Sequence, residues 1–302
     1  MDPLRKGLLW ASENATLREH LPNFRFVRAT VDRFMPGETA EDALAAAQRQ
    51  FDANAIPVTF TRLGENVQEL SQAADAAGDY LRMLDRIEEL GLDAEISLKL
   101  TQLGFDLDPG VTATHLSRLV DRSAELGRTC WIDMESTHYV AATVDLYEQE
   151  LTRSPHVGLC LQAYLRRTYE DIQRLLPAEP TIRLVKGAYR EPKEVAFQGK
   201  ASIDESYLRL ASHLVKGGAR RVALGSHDTD LIARIATALG GHEAFEVAML
   251  YGIRTDEQRR LHAEGYQVRT LISYGPSWYP WFMRRIAEKP VENTLLALRN
   301  LV

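Results

Sequence analysis

The chain has 302 residues, 45% apolar and 26% charged, and its 36 basic and 42 acidic residues give a net charge of −6. These proportions are those of a globular protein and exclude a disordered, collagen-like or disulfide-scaffold chain. No polybasic stripe is present to track a phosphate backbone, which argues against a nucleic-acid partner, and no apolar run reaches the ~18–20 residues of a membrane span. Behind the basic pair Arg5 and Lys6 stands only Leu8-Leu9-Trp10-Ala11, too short a run for a signal peptide. Cys130 and Cys160 sit in separate apolar runs, as expected of reduced core thiols in a cytosolic protein.

The first fifty residues are helical in character, suggesting an N-terminal arm over 1–50 ahead of one large domain over 51–302. Thr39, with Asp42 three residues on, can cap a helix that the helix formers from Ala43 to Ala55 continue. Eight short apolar or β-branched runs follow: Ile56–Phe60, Ile96–Leu100, Cys130–Asp133, Val157–Gln162, Ile182–Lys186, Val222–Ser226, Phe245–Leu250 and Val268–Ile272. Between them, segments such as Asp79–Leu90, His115–Leu126, Ala141–Leu151, Glu170–Leu176, Ile203–Lys216, Thr229–Leu239 and Thr255–Ala263 repeat apolar residues three and four apart. Apolar strands alternating with helices imply a parallel sheet covered by helices. Eight such units in about 250 residues point to a closed (β/α)₈ barrel of the TIM type. An open doubly wound sheet is the alternative, and the lack of a Gly-rich loop after the first run counts against its dinucleotide-binding form.

A barrel carries its active site where strands hand over to loops at their C-terminal ends. Here the second run ends Ser97-Leu98-Lys99-Leu100, the third Ile132-Asp133-Met134-Glu135 and the fourth Leu161-Gln162. The fifth leads from Arg183 through Lys186-Gly187-Ala188-Tyr189 to Arg190, the sixth ends Ser226-His227-Asp228, and the eighth is followed by Ser273-Tyr274-Gly275. Charges in a barrel mouth are costly unless paired or met by a ligand. Lys99 and Asp133 can pair across neighbouring strands. Arg183 and Lys186, three residues apart, fall on opposite faces, so one of them can face the helices. Six converging polar ends nonetheless favour a functional mouth. None of the 8 histidines has metal-ligand spacing such as H-E-x-x-H, Gly104, Asp106 and Asp108 do not complete a calcium loop, and no metal is expected. A serine hydrolase elbow is absent as well.

Beyond Tyr274 the chain runs Gly275-Pro276-Ser277-Trp278-Tyr279-Pro280-Trp281-Phe282-Met283-Arg284-Arg285-Ile286-Ala287-Glu288. Pro280 suits the first turn of a C-terminal helix over the mouth, which Trp281, Ile286 and Leu295 can dock on the barrel. Arg284 and Arg285 would project about 100° apart. One can pair with Glu288 at helix spacing, and adjacent guanidinium groups can also clamp a carboxylate or phosphate.

Together these residues closely resemble the proline dehydrogenase family. The resemblance rests on Ser97-Leu98-Lys99-Leu100-Thr101-Gln102-Leu103-Gly104, Asp133-Met134-Glu135, Arg183-Leu184-Val185-Lys186-Gly187-Ala188-Tyr189 and Ser226-His227-Asp228. The segments Phe245-Glu246-Val247-Ala248-Met249-Leu250-Tyr251-Gly252 and Arg284-Arg285-Ile286-Ala287-Glu288 follow in the family's order. It implies a distorted (β/α)₈ barrel with noncovalent FAD that oxidises L-proline to Δ1-pyrroline-5-carboxylate, the first step of proline degradation. Lys99, Arg284 and Arg285 would hold the proline carboxylate, Asp133 would orient the Lys99 ammonium, and Tyr189, Leu250 and Tyr274 would wall the ring. Arg183 would donate toward flavin N5, Gln162 and Lys186 would contact the isoalloxazine, and Met134, Gly187, Ala188, Ser226 and His227 would complete the cofactor site. Arg190 stands where bifunctional relatives carry tryptophan, and the chain's end soon after its last helix resembles the monofunctional branch. A membrane quinone is implied as electron acceptor, hence a cytoplasmic protein with peripheral contact at the inner face of the membrane.

The residues suit that chemistry. Hydride transfer needs the donor carbon fixed against the flavin, which a carboxylate clamp and apolar walls accomplish by positioning. Cationic groups nearby favour the negative charge that develops on reduction. The substrate amine must be unprotonated, so activity is expected to rise through mildly alkaline pH. Two other functions compete: a Schiff-base barrel using Lys99 or Lys186 as nucleophile, and a barrel that binds an amino acid without catalysis. A yellow protein would exclude the first, and proline-dependent dye reduction the second.

Overall fold

The computed structural model describes residues 34–279. Helix α1 spans Ala40–Asn54, and Thr39 caps it as expected: the Thr39 hydroxyl accepts the Asp42 N–H while the Asp42 carboxylate accepts the Thr39 N–H. Ala43, Leu44 and Ala47 on its inner face join the barrel core, so a division after residue 50 falls inside a helix that packs on the barrel.

Eight parallel strands follow, β1 (Val58–Arg62), β2 (Ala94–Leu98), β3 (Cys130–Ile132), β4 (Val157–Gln162), β5 (Thr181–Val185), β6 (Arg221–Gly225), β7 (Glu246–Leu250) and β8 (Gln267–Tyr274). Each pairs with the next, and β8 returns to β1 to close the barrel. Between them run α2 (Leu70–Glu89), α3 (Pro109–Glu125), α4 (Thr137–Arg153), α5 (Thr168–Leu175), α6 (Lys200–Lys216), α7 (Thr229–Leu239) and α8 (Thr255–Ala263). The fold is the expected (β/α)₈ barrel. Strand β4 and helices α7 and α8 lie within the predicted bounds, whereas β2 begins at Ala94 rather than Ile96. Glu95 interrupts the apolar run there, yet its side chain belongs to the strand's inner face.

The two faces of the sheet differ sharply in chemistry. Register and alternation put Val58, Phe60, Ile96, Leu98, Ile132 and Leu159 on the face covered by helices, where all are buried. Thr59, Glu95, Ser97, Trp131, Cys160, Arg183, Arg221, Glu246 and Arg269 take the opposite face. Contacts across the lumen confirm its direction: Arg183 on β5 reaches Ser97 on β2 at 2.7 Å, and Arg221 on β6 reaches Glu95 on β2 at 2.5 Å. The helix-facing side is thus the hydrophobic core, and the lumen is polar.

At the N-terminal end, the floor of the lumen, those polar groups satisfy one another. Arg221 bonds Glu95 and, at 2.9 Å, Glu246, while Arg269 reaches Glu246 at 3.2 Å and the Val58 carbonyl at 3.0 Å. Burial alone would raise the Glu95 carboxyl, but the Arg269 and Arg221 charges and the bonds from Arg221 and Trp131 hold it below the usual range. Above this layer lies the Trp131 indole, which donates to Glu95 at 2.8 Å. Gly158 on β4 is needed beneath it, because a Cβ there would lie 2.5 Å from the indole ring.

Candidate active site

The C-terminal end of the lumen, its mouth, is built on Arg183. Its side chain is 6% exposed, and its Nη2 donates to Ser97 Oγ at 2.7 Å and to Asp133 Oδ1 at 2.5 Å. Burial works against the guanidinium charge, and the Asp133 carboxylate more than restores it. The hydrogen bonds of Arg183 to oxygens among the described residues all run through Nη2, and the Cys160 sulfur is a further hydrogen-bonding neighbour of the guanidinium. Asp133 therefore takes Arg183 as its partner and makes no ion pair with Lys99, contrary to the expectation that it orients that ammonium. The cause is geometric: Asp133 follows β3 with the parity of Trp131, pointing inward toward β5.

Lys99 is half-buried at the end of β2 and forms no ion pair within bonding distance among the described residues. Its charge acts on Glu135, whose carboxylate accepts the Thr101 N–H at 3.2 Å and the Thr101 hydroxyl at 2.8 Å. Burial pushes the Glu135 carboxyl up to about 7, against the pull of Thr101 and Lys99. Glu135 thus fastens the loop that carries Lys99 while itself lying close to neutrality.

Gln162, at the end of β4, is 2% exposed and donates to the Met134 carbonyl at 3.4 Å. Its Oε1 is buried without a hydrogen-bond partner among the described residues. An orphaned amide oxygen costs about 1–3 kcal/mol, so the site calls for a donor from beyond the described residues. Met134 is buried beside it.

At β5 the alternation resolves cleanly. Arg183 faces the lumen and Lys186 faces outward, where it reaches Asp204 on α6 at 2.6 Å and Asp228 at 2.8 Å. Lys200 binds the same two carboxylates. Asp228 also accepts the Leu231 N–H as N-cap of α7, and the two lysines hold its carboxyl well below the usual range although burial opposes them. Gly187 follows with φ 115°, and a Cβ there would fall 2.2 Å from the Tyr164 ring, so only glycine fits. Ala188 is exposed and Tyr189 half-buried at the rim. Across the mouth, Ser226 accepts the Asp228 N–H, and His227 Nε2 accepts the Leu250 N–H at 3.1 Å. Leu250 shares the inward parity of Glu246 and Ala248.

Tyr274 departs from its expected place in the substrate wall. It has the parity of Ile272, is 3% exposed within the helix-facing core, and its electrostatic neighbours are Asp79, Arg62 and Arg82 beside α2. Leu271 and Ser273 are the residues of β8 that face the lumen. Arg284, Arg285 and the expected C-terminal helix lie outside the described residues. Sequence patterns gave no role to Ser97, Glu135 and Asp228, though they stand in the polar strand ends, and overlooked Trp131 and Asp204. Counting alternation back from Arg183 through its strand partners reaches Ser97 and Trp131.

A parallel (β/α)₈ barrel whose lumen is charged and whose mouth leaves an arginine and a glutamine incompletely bonded defines a cofactor- or substrate-binding barrel enzyme. Comparison with known proteins narrows the class. Residues 43–294 match the family model described as proline dehydrogenase. "Proline dehydrogenase 1" of Bacillus subtilis (strain 168) is 34% identical over 303 residues, covering 99% of each chain, and "Proline dehydrogenase" of Deinococcus radiodurans is 36% identical over 269 residues, 86% of each. The chain belongs to the proline dehydrogenase family. Its fold is similar to that of proline utilization A from Bdellovibrio bacteriovorus inactivated by N-propargylglycine, with a TM-score of 0.79 at 20% identity. That match covers 93% of this chain and 38% of the longer protein.

Proposed function

We propose that the chain oxidises L-proline to Δ1-pyrroline-5-carboxylate with noncovalent FAD as the immediate acceptor and a membrane quinone as the next one. The observation that carries this is the mouth itself: the fixed Arg183 guanidinium, which meets oxygens of the described residues through Nη2 alone, and the buried Gln162 Oε1, which has no partner among them. An isoalloxazine offers carbonyl and ring-nitrogen acceptors to such an arginine and an N–H donor to such an oxygen, so the residues fit the group. When bound, FAD supplies the two-electron acceptor that the side chains of the protein lack.

The remaining work falls to the chain. Arg183, held by Ser97 and Asp133, presents fixed positive charge where negative charge develops on reduction. Lys99, left without an ion pair among the described residues, offers an ammonium to the proline carboxylate, and Arg284 and Arg285 are proposed to complete that clamp. Leu250 and Tyr189 supply apolar surface at the rim, while Ser226, His227, Gly187, Ala188, Met134 and Lys186 are proposed to line the cofactor. Lys186 would act there through its position rather than as a nucleophile. Its amine is engaged by two carboxylates, whereas a Schiff base needs an uncharged amine.

Among the described residues no helix is long and apolar enough to cross a membrane, so electron delivery to a quinone would require peripheral contact. Purified protein should be yellow, and proline should bleach the flavin band without air and reduce a quinone analogue in steady state. A colourless protein that takes up no FAD, or a flavoprotein that proline leaves oxidised, would refute the proposal.

A further inference from the structure

Arg183 has a long, rotatable side chain, and its two oxygen partners share one nitrogen, Nη2. Those two bonds through one atom, with a softer contact to the Cys160 sulfur, do not by themselves set the tilt of the guanidinium plane. The structure adds a broad planar contact: the Arg183 Cζ lies over the Trp131 ring, 4.9 Å from its centroid. The same indole meets a second cation, the Arg221 guanidinium, whose Cζ lies 5.3 Å from the ring centroid. The indole is 1% exposed, tethered through Nε1 to Glu95 and packed on Gly158, so it cannot shift without disturbing the floor.

We propose that Trp131 is a positioning residue for the reaction: in contact with two arginines and fixed through Glu95, it sets the plane of the Arg183 guanidinium and thereby aims that group into the mouth. Trp131 touches neither substrate nor cofactor and acts through Arg183. Its effect should therefore fall on electron transfer rather than on proline binding. A desolvated cation–π contact accounts for roughly a ten- to thirtyfold effect on rate. The inference rests on the reading of the mouth as a flavin site.

The test is a double-mutant cycle on the FAD-loaded protein, combining Trp131→Leu or Trp131→Phe with Arg183→Lys. Trp131→Leu should lower kcat about ten- to thirtyfold with KM within about twofold, and should lower the flavin midpoint potential, because a loosely held cation stabilises the reduced cofactor less. Trp131→Phe keeps an aromatic face and should recover most of both. In the Arg183→Lys background neither substitution should move the potential further. A purely structural tryptophan would lower thermal stability while leaving the potential and kcat of the folded fraction unchanged, and that result overturns the proposal. Additive effects on the potential overturn it too. If Trp131→Leu does not fold, the Trp131→Phe cycle alone decides. Wild-type protein that binds no flavin, or that proline does not reduce, instead defeats the functional reading, and the aiming role of Trp131 falls with it.

Discussion

The two ends of the lumen are both charged and both buried, yet they are chemically opposite. At the floor, Glu95, Arg221, Glu246 and Arg269 form a closed set of ion pairs and carbonyl bonds. At the mouth, Arg183 meets oxygens of the described residues through Nη2 alone, the Gln162 Oε1 has no partner among the described residues, and Glu135 is driven toward neutrality. Charge inside a barrel is therefore no guide to function by itself. Unspent bonding capacity is the guide, because an evolved floor satisfies its own groups while a site leaves some for a ligand.

The sharpest way to break this contrast is at the floor. Glu246→Ala leaves Glu95 as the one buried carboxylate shared by Arg221 and Arg269, with Asp93 as a longer contact of Arg269 at 3.6 Å, and removal of one member of a buried ion-pair set costs about 3–5 kcal/mol. Urea unfolding should show that loss while kcat/KM of the folded fraction stays within about threefold. A large catalytic defect with unchanged stability would erase the distinction between the two ends.

Glu135 tests the mouth through pH. Its carboxyl titrates near 7 in the folded chain against 4.5 in the ordinary state, so between those values unfolding releases a proton. Stability should fall as pH rises from 4.5 to 7 and remain lower above that range. The drop should approach about 3 kcal/mol and be absent in Glu135→Gln. Parallel stability–pH curves for the two proteins would show that the buried carboxyl does not carry this strain.

Lys99→Met should cost about 1.5–3 kcal/mol in kcat/KM for proline, roughly ten- to over a hundredfold. Chemical stability should shift by less than about 0.5 kcal/mol, as for a side chain outside any paired network. Unaltered proline kinetics would remove Lys99 from the carboxylate clamp. The smallest effect is expected of Gln162→Leu, which deletes an orphaned buried oxygen and should leave stability within about 1 kcal/mol of wild type or raise it. The same variant should bind FAD several-fold more weakly by fluorescence titration, and equal affinity would mean that Gln162 Oε1 meets no cofactor donor.

The fold was legible because the helix-facing side of each strand is a short apolar run, and those runs alone mark eight strands in order. The lumen was less legible. Glu95 and Arg221 stand 126 residues apart, and Arg183 and Ser97 stand 86 apart. Only closure of the barrel makes them neighbours. The Asp133 partner was misjudged for the same reason: Lys99 is near on the adjacent strand, but inward parity selects Arg183 from across the lumen. Tyr274 shows a different limit. Its outward parity follows from counting along β8 from Val268, and a motif resemblance carries no such count. The expected roles of Arg284 and Arg285 lie beyond the described residues.

The fit of Trp131 onto Gly158 has an evolutionary consequence. With the indole in place, any side chain at 158 must overlap it, and with a smaller residue at 131 a glycine at 158 would leave a void in the lumen. Neither position can change profitably alone. Lineages of this family should therefore hold the tryptophan–glycine couple intact or replace both members together, so that the pair records shared ancestry.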